Sequence, residues 1–116
     1  SFDAIICDFV LVHIENVELV IRKFHSILKK GGYAILEFTS TKDPHMGKGE
    51  KIRKNQYIQK GVFLRFFTKS EIKRLLENFK IICTDSEYYT DPYHGAGYHR
   101  QDRHAHHSYF VMVQKV

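Results

Sequence analysis

Five of the eight histidines, His94, His99, His104, His106 and His107, crowd into one stretch near the end of the chain. Imidazoles that close together can ligate a metal, move a proton near neutral pH, or line a pocket for a polar ligand. A metal centre built from sequence neighbours would also use Cys or acidic ligands at short, fixed spacing, and none sits at such a spacing here. Gly and Tyr residues interleave with the histidines instead. No metal is therefore expected. The segment reads either as a solvated loop or as pocket lining, with His94, His99 and His106 as the substrate contacts. His106 and His107 adjoin an apolar, strand-like run, so they point to opposite faces and at most one of them can meet a pocket.

A second group of candidates is basic. Between Lys42 and Arg74, ten Lys or Arg oppose only Asp43, Glu50 and Glu71, whereas the whole chain has a net charge of +5. Lys48, Lys51, Arg53, Lys54, Lys60 and Arg65 either solubilise an exposed loop or attract an acidic substrate or a nucleic-acid backbone. Tyr57, Phe63, Phe66 and Phe67 interleave with them, a mixture that suits stacking on bases. Tyr57 and Arg65 are the expected substrate contacts. Phe66 and Phe67 immediately precede a helix start and read as core.

These residues need elements to position them. Residues 2–7 form an apolar run rich in β-branched side chains, as in a strand covered on both faces of a parallel sheet. A helix is expected over residues 16–30, with Val17, Val20, Ile21, Phe24, Ile27 and Leu28 on one face. Gly31-Gly32 supplies its left-handed stop, and residues 33–39 form the next strand. Strand, helix and strand in this order make a βαβ unit. Residues 40–67 read as a long irregular loop, interrupted by Pro44, Gly47, Gly49 and Gly61. Thr68 and Glu71 then form a capping box that opens a helix burying Ile72, Leu75 and Leu76. Strands over residues 80–88 and 108–114 have no helix between them and are expected to pair antiparallel. In open α/β sheets, ligands sit beyond the carboxyl ends of the parallel strands. The segments after Cys7, Thr39 and Tyr88 all leave from that edge, so the His-, Tyr- and Lys-rich stretches share one side of the sheet.

Length and composition bound the rest. The chain has 116 residues, 43% of them hydrophobic and 27% charged, as in a folded globular domain. Its longest apolar stretches are about six residues, against roughly 18 for a membrane helix. No charged-then-apolar leader opens it, and its two cysteines, Cys7 and Cys83, lie in apolar runs. Two cysteines are too few to staple a small secreted domain, so buried reduced thiols in a cytoplasmic protein are expected.

Phe2-Asp3-Ala4-Ile5-Ile6-Cys7, then Leu11-Val12-His13-Ile14, then Ile27-Leu28-Lys29-Lys30-Gly31-Gly32-Tyr33-Ala34-Ile35-Leu36 resemble the later part of class I S-adenosylmethionine-dependent methyltransferases. An "FD-apolar-apolar" strand, a Leu-x-His turn, a helix and an "LKPGG" turn occur there in this order, with Lys30 here in place of proline. Phe66-Phe67-Thr68-Lys69-Ser70-Glu71-Ile72 looks like the family's "FFT-x-E-E-L" helix entry. His94-Gly95 and His104-Ala105-His106-His107 look like small-molecule methyltransferases, including the tellurite-resistance group.

The resemblance implies an α/β fold, a partial Rossmann-like three-layer sandwich whose mostly parallel sheet ends in an antiparallel strand. It implies S-adenosylmethionine as cofactor and a small-molecule acceptor, with an RNA methyltransferase or a non-catalytic scaffold as alternatives. Asp8, Phe9 and His13 then fall beside the methionine part of the cofactor. The family's glycine-rich cofactor loop and the acid ending its second strand have no counterpart in these residues. The chain accordingly reads as the C-terminal half of a methyltransferase domain, with its abrupt apolar start lying inside a sheet and its partner the missing N-terminal half.

Overall fold

The computed structural model describes residues 2–8, 10–91 and 104–116. β1 (Phe2–Cys7) lies parallel to β2 (Leu28–Thr39), and the two are joined through a 3₁₀ turn at Leu11–His13 and helix α1 (Val17–Ile27). Asn16 caps α1 by accepting the Leu19 N–H at 3.2 Å. The helix stops three residues earlier than its apolar period predicts. Leu28 already belongs to β2 and is buried against the sheet, and its carbonyl accepts the Lys115 Nζ at 3.0 Å. Gly31 and Gly32 exchange backbone hydrogen bonds with Lys115, so they sit in the ladder, at a shift in the β1–β2 register, and do not cap the helix.

Residues 40–67 are not an irregular loop. They contain β3 (Glu50–Arg53), β4 (Gln56–Gln59) and β5 (Val62–Arg65), which form a separate three-stranded antiparallel sheet. Two-residue turns at Lys54-Asn55 and Lys60-Gly61 join them. Lys60 and Gly61 have φ of 50° and 79°, the mirror-image turn whose twist suits a hairpin. Tyr57, Leu64 and Phe66 of this sheet pack with Val12 in a small second core.

Helix α2 (Lys69–Leu75) opens as the capping box requires, with the Thr68 hydroxyl accepting the Glu71 N–H at 3.2 Å. It leads to β6 (Lys80–Asp91) and then to β7 (His104–Gln114). β7 is antiparallel to both β6 and β2 and lies between them, giving the order β1-β2-β7-β6.

Ala34, Leu36 and Phe38 of β2 and Tyr109, Val111 and Val113 of β7 form the main core with Val17 and Ile21 of α1 and Ile72 of α2. Both helices therefore cover the same face of the sheet, and the described residues make two layers. On the other face, Ile6 and Ile35 stand side by side in the β1–β2 register and are exposed, as is Tyr33. β1 is an edge strand, and its apolar run predicts cover on both faces; Phe2 and Ile6 are instead open, because no described layer packs on that face. Cys7 is buried as expected, whereas Cys83 is exposed because it lies on the opposite edge strand.

Gly49 meets β4 closely. At φ +83°, an added Cβ would stand 2.3 Å from the Ile58 carbonyl oxygen, whereas Gly47 at φ +86° faces open space. In the full-length protein, Gly47→Ala should cost about 1 kcal/mol from its left-handed backbone alone. Gly49→Ala should cost about 2–4 kcal/mol, since β4 must also move. Urea unfolding midpoints measure both, and equal losses would show that the close approach carries no energy.

Candidate functional site

The carboxyl end of β2 and the start of β7 meet at one edge of the sheet, where Thr39 pairs with Ser108. The chain turns sharply after β2, with the Asp43 N–H donating to the Ser40 carbonyl at 2.9 Å. This turn aims the Asp43 carboxylate inward, where its side chain is 1% exposed. Oδ1 accepts the His45 backbone N–H at 2.8 Å and lies 2.9 Å from the His45 Nδ1. Oδ2 accepts the His107 backbone N–H at 2.9 Å and lies 3.1 Å from the His106 Nδ1. An ionised carboxylate can only accept, so both Nδ1 atoms carry their protons in this arrangement. Burial pushes the Asp43 carboxyl upward, but the His106 ring, the two backbone N–H groups and the His45 ring outweigh it and hold it at about 2. The His45 and His106 rings lie 5.4 Å apart between centroids.

A second buried pair adjoins this one. The Ser40 hydroxyl is 2.6 Å from the His107 Nδ1 and accepts the Lys42 N–H at 2.8 Å. Burial first, and the nearby Lys42 charge second, push the His107 imidazole below its usual range. Its ring packs against Tyr88 and Tyr109, with centroids 4.2 and 5.5 Å away. One step further along β7, the Ser108 hydroxyl donates to the buried Glu37 carboxylate. Glu37, Ser40, Asp43, His107 and Ser108 thus form a buried polar cluster at the carboxyl end of β2, with His45 and His106 partly exposed at its rim.

The residues singled out by sequence divide between this edge and elsewhere. Phe9, His94 and His99 lie outside the described residues. Asp8 is exposed just beyond the carboxyl end of β1. His13 is exposed too, and its Nδ1 donates to the Phe63 carbonyl of β5 at 3.0 Å, which ties the 3₁₀ turn to the small sheet.

Tyr57 is buried in the second core with its ring edge-on to Phe66. The Arg65 side chain is buried, and its guanidinium is engaged by neighbouring elements of the fold. Its Nη1 donates to Glu18 Oε1 at 2.9 Å and to the Glu15 carbonyl at 3.1 Å, and its Nη2 reaches Glu71 Oε2 at 3.4 Å. The Arg65 hydrogen bond in turn lowers the Glu18 carboxyl. Glu18, Arg65 and Glu71 line a cleft of about 540 Å³ between α1 and α2, on the helix-covered face.

His106 is the substrate candidate that the structure brings into the buried cluster, and Asp43 and His45 are the neighbours that sequence reasoning passed over. Their signal was the Asp-x-His spacing just beyond the second parallel strand. The expectation of no metal rested on the lack of an acidic ligand near the histidines in sequence, and the fold supplies one from 63 residues away.

A parallel β1-α1-β2 unit, extended by an antiparallel strand inserted between β2 and β6, defines a partial Rossmann-like domain with a polar carboxyl edge. A model of the methyltransferase-domain family matches residues 1–81, and the chain belongs to that family. No curated protein matches it. The fold is shared with solved structures of low sequence identity. A SAM-dependent methyltransferase from Methanosarcina mazei aligns over 100% of this chain with a TM-score of 0.74 and 16% identity. TehB from Haemophilus influenzae gives 0.64 over 100% at 12% identity. The 1,6-didemethyltoxoflavin-N1-methyltransferase of Burkholderia thailandensis gives 0.64 over 99% at 19% identity. The chain spans 60%, 36% and 44% of the lengths of those three proteins.

Two measurements test the electrostatics. Arg65→Met should destabilise the full-length protein by about 1–3 kcal/mol, since Glu71 stays partly buried without its cation while Glu18 can turn to water. A loss below about 0.5 kcal/mol would mark the network as an ordinary surface pair. The folded-state value of about 2 for Asp43 lies below its ordinary range. Its stabilising contribution is therefore complete above about pH 4 and is lost as pH falls toward 2. Asp43→Asn should flatten that part of the stability–pH curve, and a parallel curve would refute the assignment.

Proposed function

We propose that this chain supplies the substrate-side half of an S-adenosylmethionine-dependent methyltransferase that acts on a small polar molecule. The observation that carries the reading is the Asp43–His106 cluster at the carboxyl end of β2 in a methyltransferase-family sheet, with Asp8 just beyond the carboxyl end of the parallel strand β1. Residue chemistry at that edge fits the cofactor. The Asp8 carboxylate is exposed beyond a parallel strand and can accept hydrogen bonds from the cofactor's ammonium group. When bound, S-adenosylmethionine would supply an electrophilic methyl group on a sulfonium. Displacement from a sulfonium depends chiefly on holding the acceptor in line, so the protein's part is orientation and exclusion of water.

Support for a small acceptor comes from relatives of the same fold, one of which was solved with 1,6-didemethyltoxoflavin and S-adenosylhomocysteine. The exposed Lys48, Lys51, Lys54 and Lys60 of the small-sheet segment would favour an anionic acceptor. Arg53 adds less to that field, being tied to Glu15 and Gln56 at 3.1 and 3.0 Å. The open apolar face around Ile6 and Ile35 suits the packing of a further layer, which we assign to the half of the domain that carries the cofactor's glycine-rich loop.

Calorimetric titration of the full-length protein with S-adenosylhomocysteine tests the reading. Saturable heat is expected, with Asp8→Asn binding about 10- to 100-fold more weakly through loss of a charge-assisted hydrogen bond. Absence of heat at roughly millimolar ligand would overturn it.

A further inference from the structure

Asp43 and His45 are separated only by Pro44, and the turn after β2 sets both side chains toward the start of β7, where His106 meets them. One ligand atom from each of the three lies within 4.8 Å of the others. The Asp43 oxygens are 2.9 Å from the His45 Nδ1 and 3.1 Å from the His106 Nδ1. Two ligands bonded at about 2.1 Å to a tetrahedral or octahedral ion stand about 3.0–3.4 Å apart, so these pairs are already near the separation an ion requires.

We propose that Asp43, His45 and His106 form a binding site for a divalent first-row transition ion of the zinc class.

Two imidazole nitrogens and one carboxylate make a mixed donor set. It suits zinc, cobalt, nickel or ferrous iron better than magnesium or calcium, which prefer oxygen alone. The ion takes the place of the two Nδ1 protons that now bridge to the carboxylate. Each neutral imidazole accommodates this by carrying its proton on Nε2, so binding to the neutral rings releases no net proton.

The surroundings have the order a metal site needs. The backbone N–H groups of His45 and His107 fix the carboxylate, and Gln59 Nε2 donates to the His45 carbonyl at 2.7 Å, holding that residue's backbone. The carboxylate is buried while the two imidazoles are 18% and 17% exposed, so the site is shielded and still reachable. Ligand binding here is a separate property from methyl transfer, and it can be read without any turnover.

The test uses full-length protein stripped with a chelator and titrated with cobalt chloride. One equivalent of Co²⁺ should bind and give visible d–d absorption, which added Zn²⁺ abolishes. His45→Gln and His106→Gln should each weaken binding at least about tenfold, while His25→Gln, on α1, should leave it unchanged. Circular dichroism reports whether the variants fold. Histidine modification by diethylpyrocarbonate provides a second measurement on the unaltered protein. Zn²⁺ should protect His45 and His106 but not His13. Failure of the unaltered protein to bind one equivalent would overturn the proposal. So would binding that survives in folded His45→Gln and His106→Gln, or modification of His45 and His106 that Zn²⁺ does not slow.

Discussion

Removing the Asp43 carboxylate from water carries a desolvation cost of several kcal/mol unless protein donors replace its hydration. Its donors come from both sides of the edge: the His45 backbone and ring from the turn itself, and the His106 ring and His107 backbone from β7. They can act together only when β7 starts beside the turn that follows β2. That requirement brings Ser40 against His107 and sets Ser108 to reach Glu37. The polar edge is thus organised around the buried Asp43 carboxylate.

A buried cation does the corresponding work at the other end of the small sheet. Arg65 closes β5 with its guanidinium between Glu18 of α1 and Glu71 of α2, 5.0 Å from the Phe67 ring centroid. The three-stranded meander is therefore bracketed by charge, with Asp43 before its first strand and Arg65 at the end of its last. His13 adds a third tie, from the 3₁₀ turn to the Phe63 carbonyl. Arg65 is engaged by two carboxylates of the helices, and Asp43 gathers two imidazoles at the carboxyl end of β2.

Much of this was legible in the residues, for identifiable reasons. β1, the early part of α1, the body of β2 and the Thr68 cap announce themselves through local signals: apolar runs, helical period, a side chain that accepts an N–H. β3 to β5 do not. Their strands mix buried Tyr57 and Gln59 with exposed Lys51 and Arg53, and their turns use Lys-Asn and Lys-Gly where a stronger hairpin signal would have been Asn-Gly. The end of α1 lies earlier than the helical period predicts because Leu28 fits that period equally well, while its partners, Phe2 of β1 and the Lys115 ammonium, are remote in sequence. His106 was visible as a candidate, but its partners were not, since no local pattern joins residue 43 to residue 106. The charge of Arg65 is evident from sequence, whereas the two carboxylates that pair with it are not.

The insertion of β7 between β2 and β6 has a kinetic consequence. Every β2–β7 pair joins residues about seventy to eighty positions apart, from Thr39 with Ser108 to Tyr33 with Gln114. Loop closure over such separations is entropically expensive before any contact rewards it. β1, α1 and β2 can assemble early from neighbouring sequence, but β2 then waits with one hydrogen-bonding edge open. A hairpin of β6 and β7, formed locally, can dock onto that edge as a unit. The order of assembly would then run from two local pieces to one long-range pairing.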